Sequence, residues 1–312
     1  MTKADCAAFL REHDNYCILT HESPDGDTLG SAATLCLGLR SLGKTAFVLE
    51  NPETPKDLQM LCQGLTVAAP DENATLVSVD VAAPHMLVKN PNLGQKMPEL
   101  RIDHHGKSTS FTPFALVDAT SASCAEIIYD LLLELGVELT REMAVPLYVG
   151  LSTDTGCFRF ANTNAHTYIT AAACAATGAD LQPITQLLFD TVSLDKLRVQ
   201  AWVTENTRFL AEGKAAICLI PQGIAQQLQV QQEEFSGLSG FIRSIEGVRL
   251  AATLREESDK ISISVRAVPG HDASAVCEKF GGGGHKGAGG ASTNLSLQEA
   301  EEKMVQAMLE QL

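Results

Sequence analysis

Acidic and imidazole side chains recur in four short segments of the chain. The first, residues 21–27, reads His-Glu-Ser-Pro-Asp-Gly-Asp, and the second is Asp80 at the end of an apolar run. The third is the triplet Asp-His-His at 103–105, and the fourth is Asp154 in the sequence Ser-Thr-Asp-Thr-Gly. Carboxylates and imidazoles together bind borderline-hard divalent ions such as Mn²⁺, and none of the four segments contains cysteine. The pattern predicts a metal site without thiolate ligands.

Charge gives a physical reason for placing metal ions there. The four aspartates are Asp25, Asp27, Asp80 and Asp154. Their four negative charges would repel one another, and each would raise the pKa of its neighbours if no counter-ion lay between them. Two divalent cations would cancel this charge. The proline and glycine that flank Asp25 favour a tight turn, which would bring Asp25 and Asp27 toward one site.

Each segment also has a purely structural interpretation. An aspartate after a strand often caps a helix, and Asp27 in particular could cap a helix that begins at Thr28. A histidine pair after a strand is, alone, more often a surface or core pair. We place all four segments just after predicted strands, and their recurrence at equivalent positions favours the metal site.

Alternating strand and helix patterns predict how these segments are positioned. The predicted strands are Tyr16–Thr20, Thr45–Leu49, Thr75–Val79, Leu100–Ile102 and Phe114–Val117, and the predicted helices are Thr28–Leu42, Ser123–Leu135, Arg141–Leu151 and Asn164–Thr177. Such alternation is typical of an α/β fold with a mainly parallel sheet flanked by helices. Ligands of these sheets gather at the carboxyl ends of the strands. Phe158 and Phe160, which follow Asp154, are interpreted as core residues.

The pattern resets after a long helical stretch, which we predict over Ser193–Leu210. Predicted strands at Ala215–Ile220, Arg249–Leu254 and Ile261–Ala267 follow, with helices at Gly223–Gln229, Ala273–Lys279 and Leu297–Leu312 and a glycine-rich loop at Gly281–Gly290. We therefore expect a catalytic domain over residues 1–190, a helical linker over 191–210 and a smaller α/β domain over 211–312.

Composition limits the classes of substrate and the compartment. A formal charge of −15, with 5% aromatic residues, argues against a groove that follows a long nucleic acid. The nine cysteines show no CxxC spacing, which indicates buried thiols in a reducing cytosol. The N-terminus lacks a signal-peptide pattern, and no apolar run approaches the roughly 20 residues that span a bilayer. We expect a cytoplasmic protein that acts on short substrates without a membrane.

The four segments resemble the motif series of the DHH phosphoesterase family, which includes RecJ-type exonucleases. The matching residues are His21, Asp25, Asp27, Asp80, the Asp103-His104-His105 triplet and Asp154. The segment Gly281–Gly290 resembles the glycine-rich signature of the associated DHHA1 domain. Order, spacing and length are most similar to short bacterial oligoribonucleases (nanoRNases) that also act as 3′-phosphoadenosine 5′-phosphate phosphatases. The resemblance implies hydrolysis of short oligonucleotides to mononucleotides, and of that nucleotide to AMP, in a cleft between the domains.

The resemblance also implies residue roles. One metal ion would be held by His21, Asp25, Asp80 and Asp154, and the other by Asp27, Asp80, His104 and Asp154. Two ions, with Mn²⁺ favoured and Mg²⁺ or Co²⁺ as alternatives, would activate a bridging water. Asp103 would orient a ligand, and His105 would face the scissile phosphate. In the second domain, substrate would contact Arg266, Gly283, Gly284, His285 and Lys286, because flexible backbone and cationic side chains suit a phosphate.

Several alternatives stay open at this point. A cyclic-dinucleotide or linear-dinucleotide phosphodiesterase, or a pyrophosphatase, would keep the same metal ligands. A nucleotide-binding sensor without catalysis would keep the fold. A RecJ-like exonuclease for longer tracts is disfavoured by size and charge. Related proteins suggest a homodimer, although no sequence feature requires one.

Overall fold

The computed structural model describes residues 1–106 and 109–312, which form two compact units, Met1–Thr191 and Val192–Leu312. Each unit contains its own six-stranded sheet. The predicted α/β class is therefore confirmed. Among the described residues, no helix has both the length and the apolar character needed to cross a membrane.

The sheet of the first unit is parallel throughout. Its strands are β1 (Tyr16–Leu19), β2 (Ala46–Leu49), β3 (Thr66–Val67), β4 (Thr75–Val79), β5 (Leu100–Asp103) and β6 (Phe114–Val117), in the order β3-β2-β1-β4-β5-β6. All residues of the central strands β1 and β4 are buried, as expected where both faces of a parallel sheet are covered. The order changes direction beside β1, and this kind of switch point is where α/β sheets bind ligands.

Six α-helices accompany this sheet in the described part of the first unit. They are α1 (Lys3–Glu12), α2 (Gly26–Ser41), α3 (Cys124–Leu135), α4 (Arg141–Asp154), α5 (Ala165–Ala176) and α6 (Gln182–Thr185). Helix α2 begins two residues before the predicted Thr28, because Asp25 and not Asp27 is its N-cap. The Asp25 carboxylate accepts hydrogen bonds from the backbone N–H groups of Asp27 and Thr28 at 2.9 and 3.1 Å.

Two glycines allow α2 and α4 to pack closely. A Cβ atom on Gly30 would lie 2.3 Å from the carbonyl oxygen of Pro146, and one on Gly150 would lie 2.9 Å from Asp27 Oδ1. Larger side chains at these positions would separate the helices, since packed interiors hold little spare space. Glycine therefore permits the helix contact that brings the start of α2 close to α4.

The second unit has a mixed sheet. Its elements are α7 (Leu194–Asn206), β7 (Thr207–Leu210), β8 (Ala215–Ile220), α8 (Ile224–Leu228), α9 (Leu238–Arg243), β9 (Leu250–Glu256), β10 (Ile261–Ala267), α10 (Ala273–Glu278), β11 (Gly283–His285), β12 (Ala288–Thr293) and α11 (Leu297–Leu309). The strand order is β11-β12-β10-β9-β8-β7, in which only β8 and β9 pair in parallel.

Two predictions for this unit are wrong. The helix predicted over Ser193–Leu210 ends at Asn206, and residues 207–210, the end of the predicted helical linker, form β7. The β-branched and aromatic side chains of Thr207 and Phe209 suit a strand, which pairs antiparallel with β8. The predicted glycine-rich loop also contains β11 and the start of β12. We call this antiparallel pair, residues 283–293, the glycine hairpin.

Candidate metal centre

Three predicted site segments follow neighbouring parallel strands. His21 comes after β1, Asp80 directly follows β4, and Asp103 is the last residue of β5. Asp80 has a φ of 58°, a left-handed conformation that aspartate tolerates better than most residues. Its backbone N–H donates to the carbonyl of Ile102 on β5 at 2.9 Å. The sheet edge thus fixes the Asp80 carboxylate beside the residues that follow β5.

Asp27 is anchored at the N-terminus of α3. Its carboxylate accepts hydrogen bonds from the backbone N–H groups of Cys124 at 2.6 Å and Ala125 at 2.9 Å. The hydroxyl of Ser31 donates a third bond at 3.2 Å. Unpaired N–H groups at a helix start attract negative charge, so α3 holds the Asp27 side chain in one orientation.

Asp154 reaches the same region from a helix, which corrects the prediction that it follows a strand. It is the last residue of α4. A Cβ on Gly26 would lie 2.5 Å from the Thr153 side chain, so the start of α2 and the end of α4 are in close contact. The periodicity of residues 141–151 indicates a helix, but it does not show that the helix continues to Asp154.

The potential ligand atoms of the six predicted metal-binding residues form overlapping groups. His21 Nε2 lies 3.5 Å from Asp25 Oδ1 and 3.8 Å from Asp80 Oδ2. His104 Nε2 lies 3.4 Å from Asp80 Oδ1, 3.5 Å from Asp154 Oδ2 and 3.9 Å from Asp27 Oδ2. Within each of the groups His21–Asp25–Asp80 and Asp27–His104–Asp154, the ligand atoms lie within 4.8 Å of one another. We call these six residues the metal centre.

The two histidines of the triplet are held differently. His104 Nδ1 lies 3.3 Å from the carbonyl oxygen of Ser121, while its Nε2 faces the carboxylates. His105 Nδ1 lies 2.7 Å from Asp103 Oδ1 and 3.4 Å from Asp80 Oδ1. Asp103 is fully buried and also accepts the backbone N–H of His105 at 3.1 Å. Asp103 therefore fixes the orientation of the His105 ring.

Burial and mutual repulsion raise the pKa values of three carboxylates. Burial, then the charge of Asp154, raises the pKa of Asp27 to about 7. Burial raises the pKa of Asp154 to about 6 and, together with the charge of Asp27, raises that of Asp80 well above its usual value. Burial opposes protonation of His104, but the close approach of Asp80 and the charges of the nearby carboxylates raise its pKa to about 10. The raised pKa values show that the clustered carboxylates favour bound protons or another positive charge.

A divalent cation fits this arrangement. Asp80 Oδ1 is buried and has no hydrogen-bond partner within the described part of the chain, an arrangement that is costly for a carboxylate oxygen. It lies 3.4 Å from a ring nitrogen of both His104 and His105. Coordination to a cation would satisfy the oxygen, and an oxygen and nitrogen ligand set suits Mn²⁺.

Two residues that the sequence did not indicate as site residues form hydrogen bonds to the backbone near the metal centre. Glu126, fully buried in the first turn of α3, accepts the backbone N–H of Ala122 at 2.9 Å and so shapes the turn that contacts His104. Arg101 on β5 donates to the carbonyl of Thr109 at 2.8 Å. The spacing Ser123-x-x-Glu126 is a helix-start signal that could have identified the glutamate. An arginine within a strand gives no comparable signal.

The predicted substrate residues of the second unit are also brought together. Strand β12 lies between β10 and β11, so that Ala288 is paired with Arg266 on one side and with His285 on the other. Burial, then the charge of Arg243, lowers the pKa of Arg266. Lys286 is exposed in the turn between the strands, and Gly283 and Gly284 belong to β11.

Glycine is required in the hairpin by its own packing. Gly284 has a φ of 138°, and a Cβ there would lie 2.3 Å from the carbonyl oxygen of Ala288. A Cβ on Gly282, directly before the hairpin, would lie 2.1 Å from the carbonyl oxygen of Gly290. The glycines thus permit close backbone pairing, and a ligand is not needed to explain them.

Comparison with known proteins matches both units to described families. Residues 15–151 match the DHH family, N-terminal domain, and residues 217–312 match the DHHA1 domain. The chain is 35% identical over 301 residues to the bifunctional oligoribonuclease and PAP phosphatase NrnA of Thermus thermophilus, covering 95% of this chain and 89% of that protein.

Solved structures share the fold. An exopolyphosphatase-related protein from Bacteroides fragilis superposes with a TM-score of 0.88 at 24% identity, covering 99% of this chain and 96% of that one. The exonuclease RecJ from Thermus thermophilus, solved in complex with Mn²⁺, gives a TM-score of 0.58 at 18% identity, covering 99% of this chain and 55% of that one.

Proposed function

The chain belongs to the DHH family of phosphoesterases, with a DHHA1 domain in its second unit, and from this membership we propose that it hydrolyses short oligonucleotides to mononucleotides. We propose the conversion of 3′-phosphoadenosine 5′-phosphate to AMP as a second activity of the same site. The observation that carries the proposal is the convergence of His21, Asp25, Asp27, Asp80, His104 and Asp154 from six separate positions. The 35% identity to a relative named for both activities supports the substrate class.

Two divalent ions, with Mn²⁺ favoured over Mg²⁺ or Co²⁺, are the proposed cofactors. One would be held by His21, Asp25, Asp80 and Asp154, and the other by Asp27, Asp80, His104 and Asp154. The proximity of Asp80 to both histidines supports a shared ligand there. Bound ions of this kind supply Lewis-acid activation of water and of the phosphoryl group.

The protein's own residues would orient the reactants. Asp103 holds His105 through a 2.7 Å hydrogen bond, and we propose that His105 faces the scissile phosphate. Arg266, Gly283, Gly284, His285 and Lys286 are the proposed contacts for the other end of the substrate. Such remote binding would orient the reacting ester. A cytoplasmic location and a homodimer are part of this proposal.

A substrate panel tests the proposed function. The full chain would be incubated with Mn²⁺ and, separately, dinucleotides, five-mers, 3′-phosphoadenosine 5′-phosphate, cyclic di-AMP and pyrophosphate, with products separated by chromatography. We expect mononucleotides from the short oligonucleotides and AMP from 3′-phosphoadenosine 5′-phosphate. Preferential cleavage of cyclic di-AMP would instead identify a cyclic-dinucleotide phosphodiesterase. Binding of these nucleotides without any product would identify a sensor and contradict the proposal.

A further inference from the structure

The segment between α4 and α5 has an unusual backbone directly after Asp154. Gly156, Cys157 and Phe158 have φ values of 55°, 56° and 63°, so three successive residues are left-handed. For the two residues that are not glycine, this conformation costs roughly 1–2 kcal/mol each. Strain of this kind is retained where the surrounding structure requires one particular chain direction. Here the strained turn determines where the next residues, Arg159 and Phe160, are presented.

The strained turn exposes one aromatic ring and packs another. Phe158 stacks on Tyr168 with ring centroids 5.7 Å apart, and its ring also lies 5.9 Å from that of Tyr148. Phe160 is 49% exposed, which corrects the interpretation of this residue as core. A Cβ on Gly156 would lie 2.3 Å from the Phe160 ring, so the ring rests against the glycine backbone. Phe160 is therefore a half-exposed aromatic ring that is held in place by its contact with Gly156.

Arg159 presents a positive charge beside this ring. Its Nε donates to the carbonyl oxygen of Gly156 at 2.6 Å, which holds the guanidinium against the turn. Within residues 1–106 and 109–312, no carboxylate forms an ion pair with it, although the chain carries a formal charge of −15. The remaining N–H groups of the guanidinium can donate to an anion.

Asn162 connects this segment to the metal centre. Its side-chain Nδ2 donates to the carbonyl of Asp154 at 3.1 Å and to the carbonyl of Ala122 at 3.0 Å. The preceding residue, Ser121, is the one whose carbonyl contacts His104. Phe160 lies two residues from Asn162, so their Cα atoms are at most about 7.6 Å apart. The segment that carries the exposed ring and the arginine is thus hydrogen-bonded to the backbone of Asp154, one of the proposed metal ligands.

We propose that Arg159 and Phe160 form a nucleotide subsite, in which Phe160 stacks on a base of the substrate and Arg159 binds a phosphate oxygen. The inference rests on the proposed function and extends it by assigning residues that recognise the base. An exposed aromatic face accepts any nucleobase, because every base has a flat π surface. Inorganic pyrophosphate and other base-free phosphates would gain nothing from Phe160. The subsite therefore predicts selection for nucleotides of any sequence.

Kinetics with base-free analogues test this subsite. The substrates are 5′-phosphorylated adenine dinucleotide and two analogues in which a tetrahydrofuran sugar replaces one or the other nucleoside. The full chain with Mn²⁺ would be compared with Phe160→Ala, Phe160→Tyr and Arg159→Gln, and kcat and KM measured for each substrate. We expect Phe160→Ala to raise KM for the intact dinucleotide about tenfold, the effect typical of losing one stacked base. For one of the two analogues the rise should vanish, and this analogue identifies the stacked base.

The remaining variants separate stacking from a structural effect. Phe160→Tyr should retain the wild-type preference for the intact dinucleotide over the analogue that lacks the stacked base. Arg159→Gln should raise KM for all three substrates alike. Phe114→Ala, which removes a ring of 47% exposure from β6, is the matched control and should leave the preference intact. Equal losses on all substrates in Phe160→Ala, or none, would overturn the subsite. Failure of the wild-type chain to cleave any dinucleotide would instead count against the proposed function.

Discussion

The metal centre and the glycine hairpin achieve precision in different ways. In the metal centre, side chains are fixed by buried contacts: Asp27 is 1% exposed and accepts three hydrogen bonds from α3 and Ser31. In the glycine hairpin, the backbone is fixed by close glycine pairing, while His285 and Lys286 are exposed at the turn. The difference teaches that buried hydrogen bonds fix individual side chains in the first region, whereas close glycine packing fixes the backbone in the second.

Loss of Asp80 should have the largest effect. We expect Asp80→Asn to reduce Mn²⁺-dependent hydrolysis by more than about a hundredfold, beyond the range seen for residues that only support a ligand. The neutral side chain should also raise the melting temperature of the metal-free protein at pH 8, because it removes a buried charge. Activity assays and thermal unfolding measure the two effects. Asp118→Asn, a partly exposed carboxylate paired with Lys3, is the control; wild-type turnover in Asp80→Asn would contradict the shared-ligand role.

Asp103→Asn should have the next largest effect. The amide oxygen accepts only a weaker, uncharged hydrogen bond from His105 Nδ1, so the ring is held less firmly in its orientation. We expect kcat to fall about 10- to 100-fold, with Mn²⁺ affinity changing less. Steady-state kinetics and Mn²⁺ titration of the same preparation would measure kcat and Mn²⁺ affinity separately. A loss of Mn²⁺ binding as large as that of Asp80→Asn would show instead that Asp103 is itself a ligand.

Protonation should stabilise the metal-free protein. Folding raises the pKa of Asp27 from 3.8 to about 7 and that of His104 from 6.5 to about 10, so the folded state binds more protons than the unfolded state. Stability should therefore fall as pH rises from about 5 to 8. Mn²⁺ should raise the melting temperature more at pH 8 than at pH 5.5, because metal and protons compete. A larger shift at pH 5.5 would contradict the assignment of Asp27 and His104 as metal ligands.

Two glycine substitutions compare the regions directly. Gly30→Ala should destabilise the first unit by about 1–3 kcal/mol and weaken Mn²⁺ binding, since the added methyl separates α2 from α4. Gly284→Ala should strain the glycine hairpin and raise KM for dinucleotides while leaving Mn²⁺ affinity near the wild-type value. The control is Gly240→Ala in α9, where a Cβ meets nothing within 4 Å. Impaired Mn²⁺ binding in Gly284→Ala would show that the two regions are not separable.

His285→Ala should have the smallest effect. We expect a several-fold loss of kcat/KM on dinucleotides and a lesser loss on a generic chromogenic phosphodiester, because the latter lacks the distant end that His285 would contact. Steady-state kinetics on both substrates give the ratio. Equal losses on the two would argue that His285 acts on the reacting ester and not on a remote group.

The sequence predicts the bounds of apolar strands better than the ends of helices. The strands Thr75–Val79, Phe114–Val117 and Ile261–Ala267 have the predicted bounds, since apolar and β-branched runs fix them. Asp25 replaces Asp27 as the cap of α2 because capping depends on the backbone dihedrals of a turn, which composition does not reveal. The glycine hairpin was missed since glycine has low strand propensity and forms these strands only through tertiary pairing.

A crystal of the full chain soaked in Mn²⁺, with anomalous diffraction collected at the manganese edge, tests the central claim most directly. Two anomalous peaks roughly 3.5–4 Å apart, both in contact with Asp80 and flanked by His21 and His104, are the result expected. Mn²⁺ ions bound only at other positions, or no anomalous peak between these side chains, would contradict the assignment of the metal centre.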